Sequence, residues 1–177
     1  RTDRGIRRME VAPQDLAQAF QGIGLSTGIL PRRTLFWEAR GSGVRTGIEI
    51  PPGRREVTCV VRNGRNHRTH IPYPRLVFVG EQRTYRVFAL KKAEPDGMSA
   101  LFQAPFPNVY HDGRICLGTA PFPEARPETM ENAFEAFMQS EFNADLSGRR
   151  SQSYPEDIRE LWAKTRNQKR FPTRELI

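Results

Sequence analysis

The residues best suited to chemistry lie in one stretch, PFPNVYHDGRICLGTA, positions 105 to 120. Its thiol, Cys116, could accept an acyl group and pass it to an amine, because a thioester is reactive toward nitrogen yet persists long enough to carry cargo. Asn108 stands eight positions earlier. Its amide donates a hydrogen bond without titrating, which suits it to the negative charge that develops on a carbonyl oxygen under attack. One such donor is typically worth roughly 100- to 1000-fold in rate. The plainer reading of Asn108 is a turn residue bonding its local backbone. His111, five positions before Cys116, raises a Cys-His hydrolase, in which imidazole activates the thiol, but no orienting third group can be identified. Asp112-Gly113 reads first as a turn dipeptide, although a carboxylate there could help deprotonate an incoming amine. Glu124 is a weaker candidate for that role.

Other chemistry finds less support. Cys59 and Cys116 are too few and too far apart for a disulfide scaffold or a cysteine-rich zinc site, which fits a reduced, cytoplasmic compartment. Val57, Cys59 and Val61 alternate toward one face, so Cys59 reads as a small apolar group inside a strand. His67 and His70 have no cysteine or carboxylate at ligand spacing, and no metal is expected there. Gly22 and Gly24 follow a helix and no Gly-Lys-Ser/Thr occurs, so no cofactor is expected and any use of ATP belongs to a partner.

These residues need elements to hold them. Leu16, Ala17 and Phe20 behind Pro13 predict a short helix over 13–20, ended by Gly22, Gly24 and Gly28. From Thr34 to Leu90, apolar runs are punctuated by Gly41-Ser42-Gly43, Pro51-Pro52-Gly53 and Asn63-Gly64, the pattern of an antiparallel meander. Residues 93–126 hold eight prolines and glycines and no periodicity, where a site built on loops would sit. A helix is predicted from Pro127, with Met130, Phe134, Phe137 and Met138 as its core stripe. A last helix is predicted after Ser153, with Ser153 and Glu156 at capping-box spacing and Tyr154, Ile158, Leu161 and Trp162 on one face.

With 177 residues, 37% hydrophobic and 11 of them Phe, the chain can bury a core as one domain without staples. Residues 1–12 read as a basic tail or connector, 13–165 as the domain and 166–177 as a basic C-terminal tail. No apolar run reaches membrane-spanning length, so no membrane partner is expected. A chain starting at Arg1 is also compatible with a segment of a longer one. The 28 Lys and Arg against 20 Asp and Glu leave a net charge of +8, which suits an acidic protein partner or nucleic acid.

The stretch around Cys116 resembles ubiquitin-conjugating enzymes. There a His-Pro-Asn tripeptide precedes the catalytic cysteine with this same Asn-to-Cys offset, followed by an Asn/Asp-Gly turn, a small apolar residue, the cysteine and Leu. Pro107, Asn108, Val109, Tyr110, Asp112, Gly113, Ile115, Cys116 and Leu117 match that pattern. Phe106 replaces the family's His, and the tryptophan usual downstream of the cysteine is missing. The Ala104-Pro105-Phe106 lead-in and Gly118-Thr119 look like the bacterial family-D branch, which includes PRTRC system B proteins. The specific motif covers 16 residues, and the order of elements extends the likeness over 13–165.

The resemblance implies an α+β fold of the ubiquitin-conjugating type, a four-stranded antiparallel meander flanked by helices. It implies an acyl transferase that takes a ubiquitin-like protein from an activating enzyme onto Cys116 and hands it to a target lysine. Asn108 would be catalytic with Cys116, and Pro107, Tyr110, His111, Asp112 and Gly113 would support the loop. A JAB-type protease would share the operon, and the pathway would be phage defence or plasmid maintenance. Two other readings stay open. One is a binding module that recognises ubiquitin-like proteins without carrying them, although such relatives usually lack the cysteine. The other is a basic nucleic-acid-associated protein, disfavoured because the aromatics read as core rather than as stacking surface.

Overall fold

The chain's strands follow the alternation and turn residues of its first half, and its helices the 3.6-residue stripes of its second. The computed structural model describes residues 12–15, 27–40, 43–60, 66–91, 96–118 and 121–177. Eight strands run in order: β1 (Thr34–Arg40), β2 (Gly43–Ile50), β3 (Gly53–Val60), β4 (Asn66–Tyr73), β5 (Arg75–Glu81), β6 (Thr84–Leu90), β7 (Phe102–Gln103) and β8 (Glu141–Phe142). Two α-helices follow the loop region, α1 (Met130–Met138) and α2 (Ile158–Thr165). Short 3-10 turns cover Pro127–Thr129 and Thr173–Glu175. The fold is α+β. Residues 13–15 are helical, and the rest of the helix expected over 13–20 lies outside the described residues.

The strands form two sheets, ordered β1-β2-β5-β6-β7 and β4-β3-β8, where one four-stranded meander was expected. Prolines account for the division. The β2/β5 pairing runs from Arg45↔Glu81 to Ile50↔Leu76, and β3/β4 resumes at Gly53↔Tyr73 without a change of register. Between them lie Pro51, Pro52 and Pro74, which have no N–H to give the ladder. One long hairpin is thus interrupted and shared between two sheets. Pro72 lies within β4, which is an edge strand, the place where a sheet tolerates proline. Strand β8 adds to the other side of β3 in parallel, Thr58↔Glu141 and Cys59↔Phe142.

Ile48, Ile50, Leu76, Phe78, Tyr85, Val87 and Ala89 alternate onto the inner face and pack in one core with α1. The helix contributes Met130, Phe134, Phe137 and Met138, all buried, as its stripe predicts. Cys59 is 3% exposed beside Val57 on β3, and burial pushes its thiol pKa up, with Arg159 opposing. Val61 lies outside the described residues.

Two features differ from the sequence reading. The N-cap of α2 is Asp157, whose carboxylate accepts from the Arg159 N–H at 2.9 Å. Ser153 is drawn elsewhere: its N–H and hydroxyl each donate to Glu175 at 2.9 Å, joined by the Ser151 hydroxyl at 2.8 Å. The capping-box spacing of Ser153 and Glu156 is therefore not used. The second difference is at the segment read as a basic tail, where Phe171, Glu175 and Leu176 are buried and the Ile177 carbonyl accepts from the Gln103 N–H at 2.8 Å.

Burial alone would raise the Glu175 pKa, but the three donors outweigh it and hold the carboxyl below its usual 4.5. A folded-state pKa below the unfolded one stabilises the fold above the unfolded value and loses that contribution as pH falls through the folded value. Glu175→Gln should cost about 2 kcal/mol at pH 7, in the range of hydrogen bonds to a charged group. Thermal melts from pH 7 to pH 3 should then fall less steeply for the variant below pH 4.5 than for the wild type.

Candidate active site

Residues 108–116 form a small hairpin closed by an antiparallel bridge between Val109 and Ile115. One residue beyond that bridge, the Cys116 N–H donates to the Asn108 carbonyl at 2.7 Å, so the two candidate residues face each other across the hairpin base. The turn at its tip is made by Tyr110 to Arg114: the Gly113 N–H reaches the Tyr110 carbonyl at 2.9 Å, and the Tyr110 N–H reaches that of Arg114 at 2.7 Å. Gly113 has φ +80, and a Cβ there would lie 2.5 Å from the Phe88 ring, so both backbone and space require glycine. Asp112 serves this turn, its carboxylate accepting from the Arg114 N–H at 3.0 Å.

The hairpin is tied to the fold on both arms. On the outgoing arm, the Ile115 N–H donates to the Tyr85 carbonyl at 2.9 Å and the Val87 N–H to the Gly113 carbonyl at 2.8 Å, which lays 113–115 against β6. Tyr85 is itself fixed: burial pushes its phenol up to about 12, and the hydroxyl donates to the Pro123 carbonyl at 2.7 Å. On the incoming arm, Phe106 is 0% exposed and packs with Tyr73, Phe137, Phe142 and Trp162. The Trp162 indole N–H donates to the Pro105 carbonyl at 3.0 Å. An aromatic cluster thus occupies the position where the resembled family carries histidine, and the loop is held by apolar packing.

Asn108 has φ +58, in the left-handed region that asparagine tolerates better than most residues. Its N–H donates to the Asp145 carbonyl at 3.1 Å and its side-chain amide to the Glu141 carbonyl at 2.9 Å. The amide therefore bonds backbone 33 residues away rather than its own turn, and one of its two N–H groups is committed to anchoring. The second is not needed for that bond.

Arg150 completes the frame and was not picked out from the sequence. It is 1% exposed, and donates to the Val109 carbonyl, the Gln103 side-chain oxygen and, at 3.4 Å, the Leu146 carbonyl. Burial pushes its pKa down, and its partners are all neutral oxygens. Gln103 in turn donates to the His111 carbonyl at 2.8 Å. A guanidinium presents several donors in a fixed fork, so one side chain can fix several carbonyls at once. Such a role carries no local motif; a buried arginine inside a Ser- and Gly-rich stretch gives no signal at the sequence level.

Cys116 is exposed. His111 is exposed at the hairpin tip, where its backbone carbonyl accepts from the Gln103 side chain. Pro107 is buried under the loop, and exposed Tyr110 has the Arg114 guanidinium 4.7 Å from its ring centroid. Glu124 is paired with Arg126 at 3.0 Å, at the entrance to α1. His67 and His70, three apart on β4, point to opposite faces, and among the described residues no group of three or more His, Cys, Asp or Glu could hold a metal. No helix among the described residues is long and apolar enough to cross a membrane.

The α+β fold is compatible with an E2-like protein. Comparison with protein families matches residues 16–177 to prokaryotic E2 family D. The chain belongs to that family, whose E2-like members are associated with ubiquitin-like conjugation and so with a ubiquitin-like protein and an activating enzyme. No curated protein and no solved structure matches it.

Two substitutions test the frame. Phe106→Ala should destabilise the fold by about 3 to 5 kcal/mol in urea unfolding, the cost of emptying an aromatic site in a packed core. Arg150→Met should cost about 2 kcal/mol by stranding buried carbonyl oxygens. Under native conditions it should also change the rate at which a thiol reagent labels Cys116, with Cys59 shielded in both proteins.

Proposed function

We propose that the protein is a cysteine carrier for a ubiquitin-like protein. The supporting observation is the placement of Cys116, exposed and opposite Asn108 at the base of a hairpin anchored on both arms. In the charging step the Cys116 sulfur, as thiolate, attacks the C-terminal carbonyl carbon of the ubiquitin-like protein held as a thioester on an activating enzyme. The new C–S bond forms, the activating enzyme's thiolate leaves, and no net redox change occurs.

In the transfer step a target amine, taken to be lysine, attacks that carbonyl. Charge gathers on the carbonyl oxygen, and the free N–H of the Asn108 amide meets it. The nitrogen loses a proton and the Cys116 thiolate departs, leaving an amide bond. Asp145, whose carbonyl accepts the Asn108 N–H and whose exposed carboxylate has one oxygen bonded by the Asn143 side-chain amide at 2.9 Å, takes that proton on its other oxygen. Asp112, committed to the turn, helps set the hairpin instead. Pro107, Tyr110, His111 and Gly113 act as support. Among the pathways that the family likeness admits, tagging of phage proteins in defence is the one carried forward.

The protein is to be incubated with the ubiquitin-like protein and activating enzyme of its operon and ATP, then run on a non-reducing gel. A shifted band, lost with thiol reductant and absent in Cys116→Ala, is expected. Asn108→Ala should still charge but discharge to free lysine roughly 100-fold more slowly or worse. If the activating enzyme charges and no adduct forms on this chain, the carrier reading fails and a non-covalent binding module takes its place.

A further inference from the structure

The chain's positive charge is not spread evenly. Where the proline interruption between β4 and β5 meets the segment after α2, a cleft of about 550 Å³ opens, lined among the described residues by Arg75, Lys91, Lys169 and Arg170 and by no acidic one. Its inner wall is aromatic and apolar: Tyr73 and Phe171, each 6% exposed, with Leu90 and prolines 52 and 74. Arg75 is paired with Glu49 on β2. Lys91 lies over the Phe102 ring at 4.2 Å. Among the described residues, Lys91, Lys169 and Arg170 have no carboxylate partner. All three are exposed.

We infer that this cleft is a docking site for an acidic peptide segment of a protein partner. Cations of one sign around a concave, partly apolar wall raise the local potential and draw anions in. The carbon-rich wall then favours a segment that carries an apolar side chain among its carboxylates. Nucleic acid fits less well. Single strands bind by stacking bases on exposed aromatic faces along an extended groove, and here both aromatic rings of the lining are buried. The site involves neither Cys116 nor its hairpin, so it stands whether or not the thiol carries cargo.

The test uses the full chain and a fluorescein-labelled twelve-residue peptide of glutamates with two central leucines, followed by fluorescence anisotropy at low salt. Comparison probes are an all-glutamate peptide of the same length, a twelve-nucleotide single-stranded DNA and inorganic phosphate as competitor. Saturable binding of the leucine-containing peptide is expected, tighter than of the all-glutamate peptide, and weakening as salt rises. The Lys169→Glu/Arg170→Glu variant should bind it about tenfold more weakly or worse, from the loss of two exposed attractions and the gain of two repulsions. Arg32→Glu, the reversal of an exposed charge outside the cleft, should have little effect. Both changes are at exposed positions, and matching circular dichroism and melting curves would show an intact fold. Three outcomes overturn the proposal: DNA binding more tightly than the peptide with the same variant abolishing it, competition by phosphate at equal charge concentration, or peptide binding indifferent to the charge reversal.

Discussion

Phe106 sits where the parts of this fold meet. Its ring touches Tyr73 from the interrupted hairpin, Phe137 from α1, Phe142 from β8 and Trp162 from α2. Each of those elements buries a face in the same core, and their aromatic side chains converge on this ring. The loop that precedes the thiol is consequently part of the core and not a strap laid over it. Non-directional burial supplies the attraction, and the directed bonds from Trp162 to Pro105 and from Arg150 to Val109 choose a single arrangement within it.

That division of labour explains an unusual cost. A nearly buried guanidinium with only neutral oxygen partners is held against its own solvation, which the lowering of its pKa expresses. In return, one side chain bonds the buried Val109 carbonyl, the Gln103 side-chain oxygen and the Leu146 carbonyl. Positive φ at Asn108, Leu146 and Arg149 places three non-glycine residues in the left-handed region around the same frame. Backbone geometry of this kind persists where the surroundings over-determine it.

Much of this was readable in advance where the signal is local. The Cys116 and Asn108 spacing, the buried placement of Cys59 in a strand and the Met130, Phe134, Phe137, Met138 stripe all depend on neighbours a few residues away. What escaped depends on long-range partners. Ser153 has the spacing of a helix cap, but Glu175 competes for it and wins with three donors. Residues 166–177 read as a basic tail, yet Phe171 and Leu176 find apolar cover that no local pattern announces. The prolines at 51, 52 and 74 were legible as breaks, while their effect of dividing one register between two sheets emerges only once both strands are in place. Arg150 is the extreme case, since its meaning lies entirely in what folds around it.

The anchors of the thiol hairpin come from far down the chain: Glu141 is 33 residues beyond Asn108, and Arg150 is 41 beyond Val109. During synthesis, Cys116 is made well before those partners, and contacts of such sequence separation close late because loop entropy must be paid first. A nascent or misfolded chain therefore displays the sulfur without the frame that gives it an address. The geometry around the sulfur exists only after residues 141 and 150 have been made and folded back onto the hairpin.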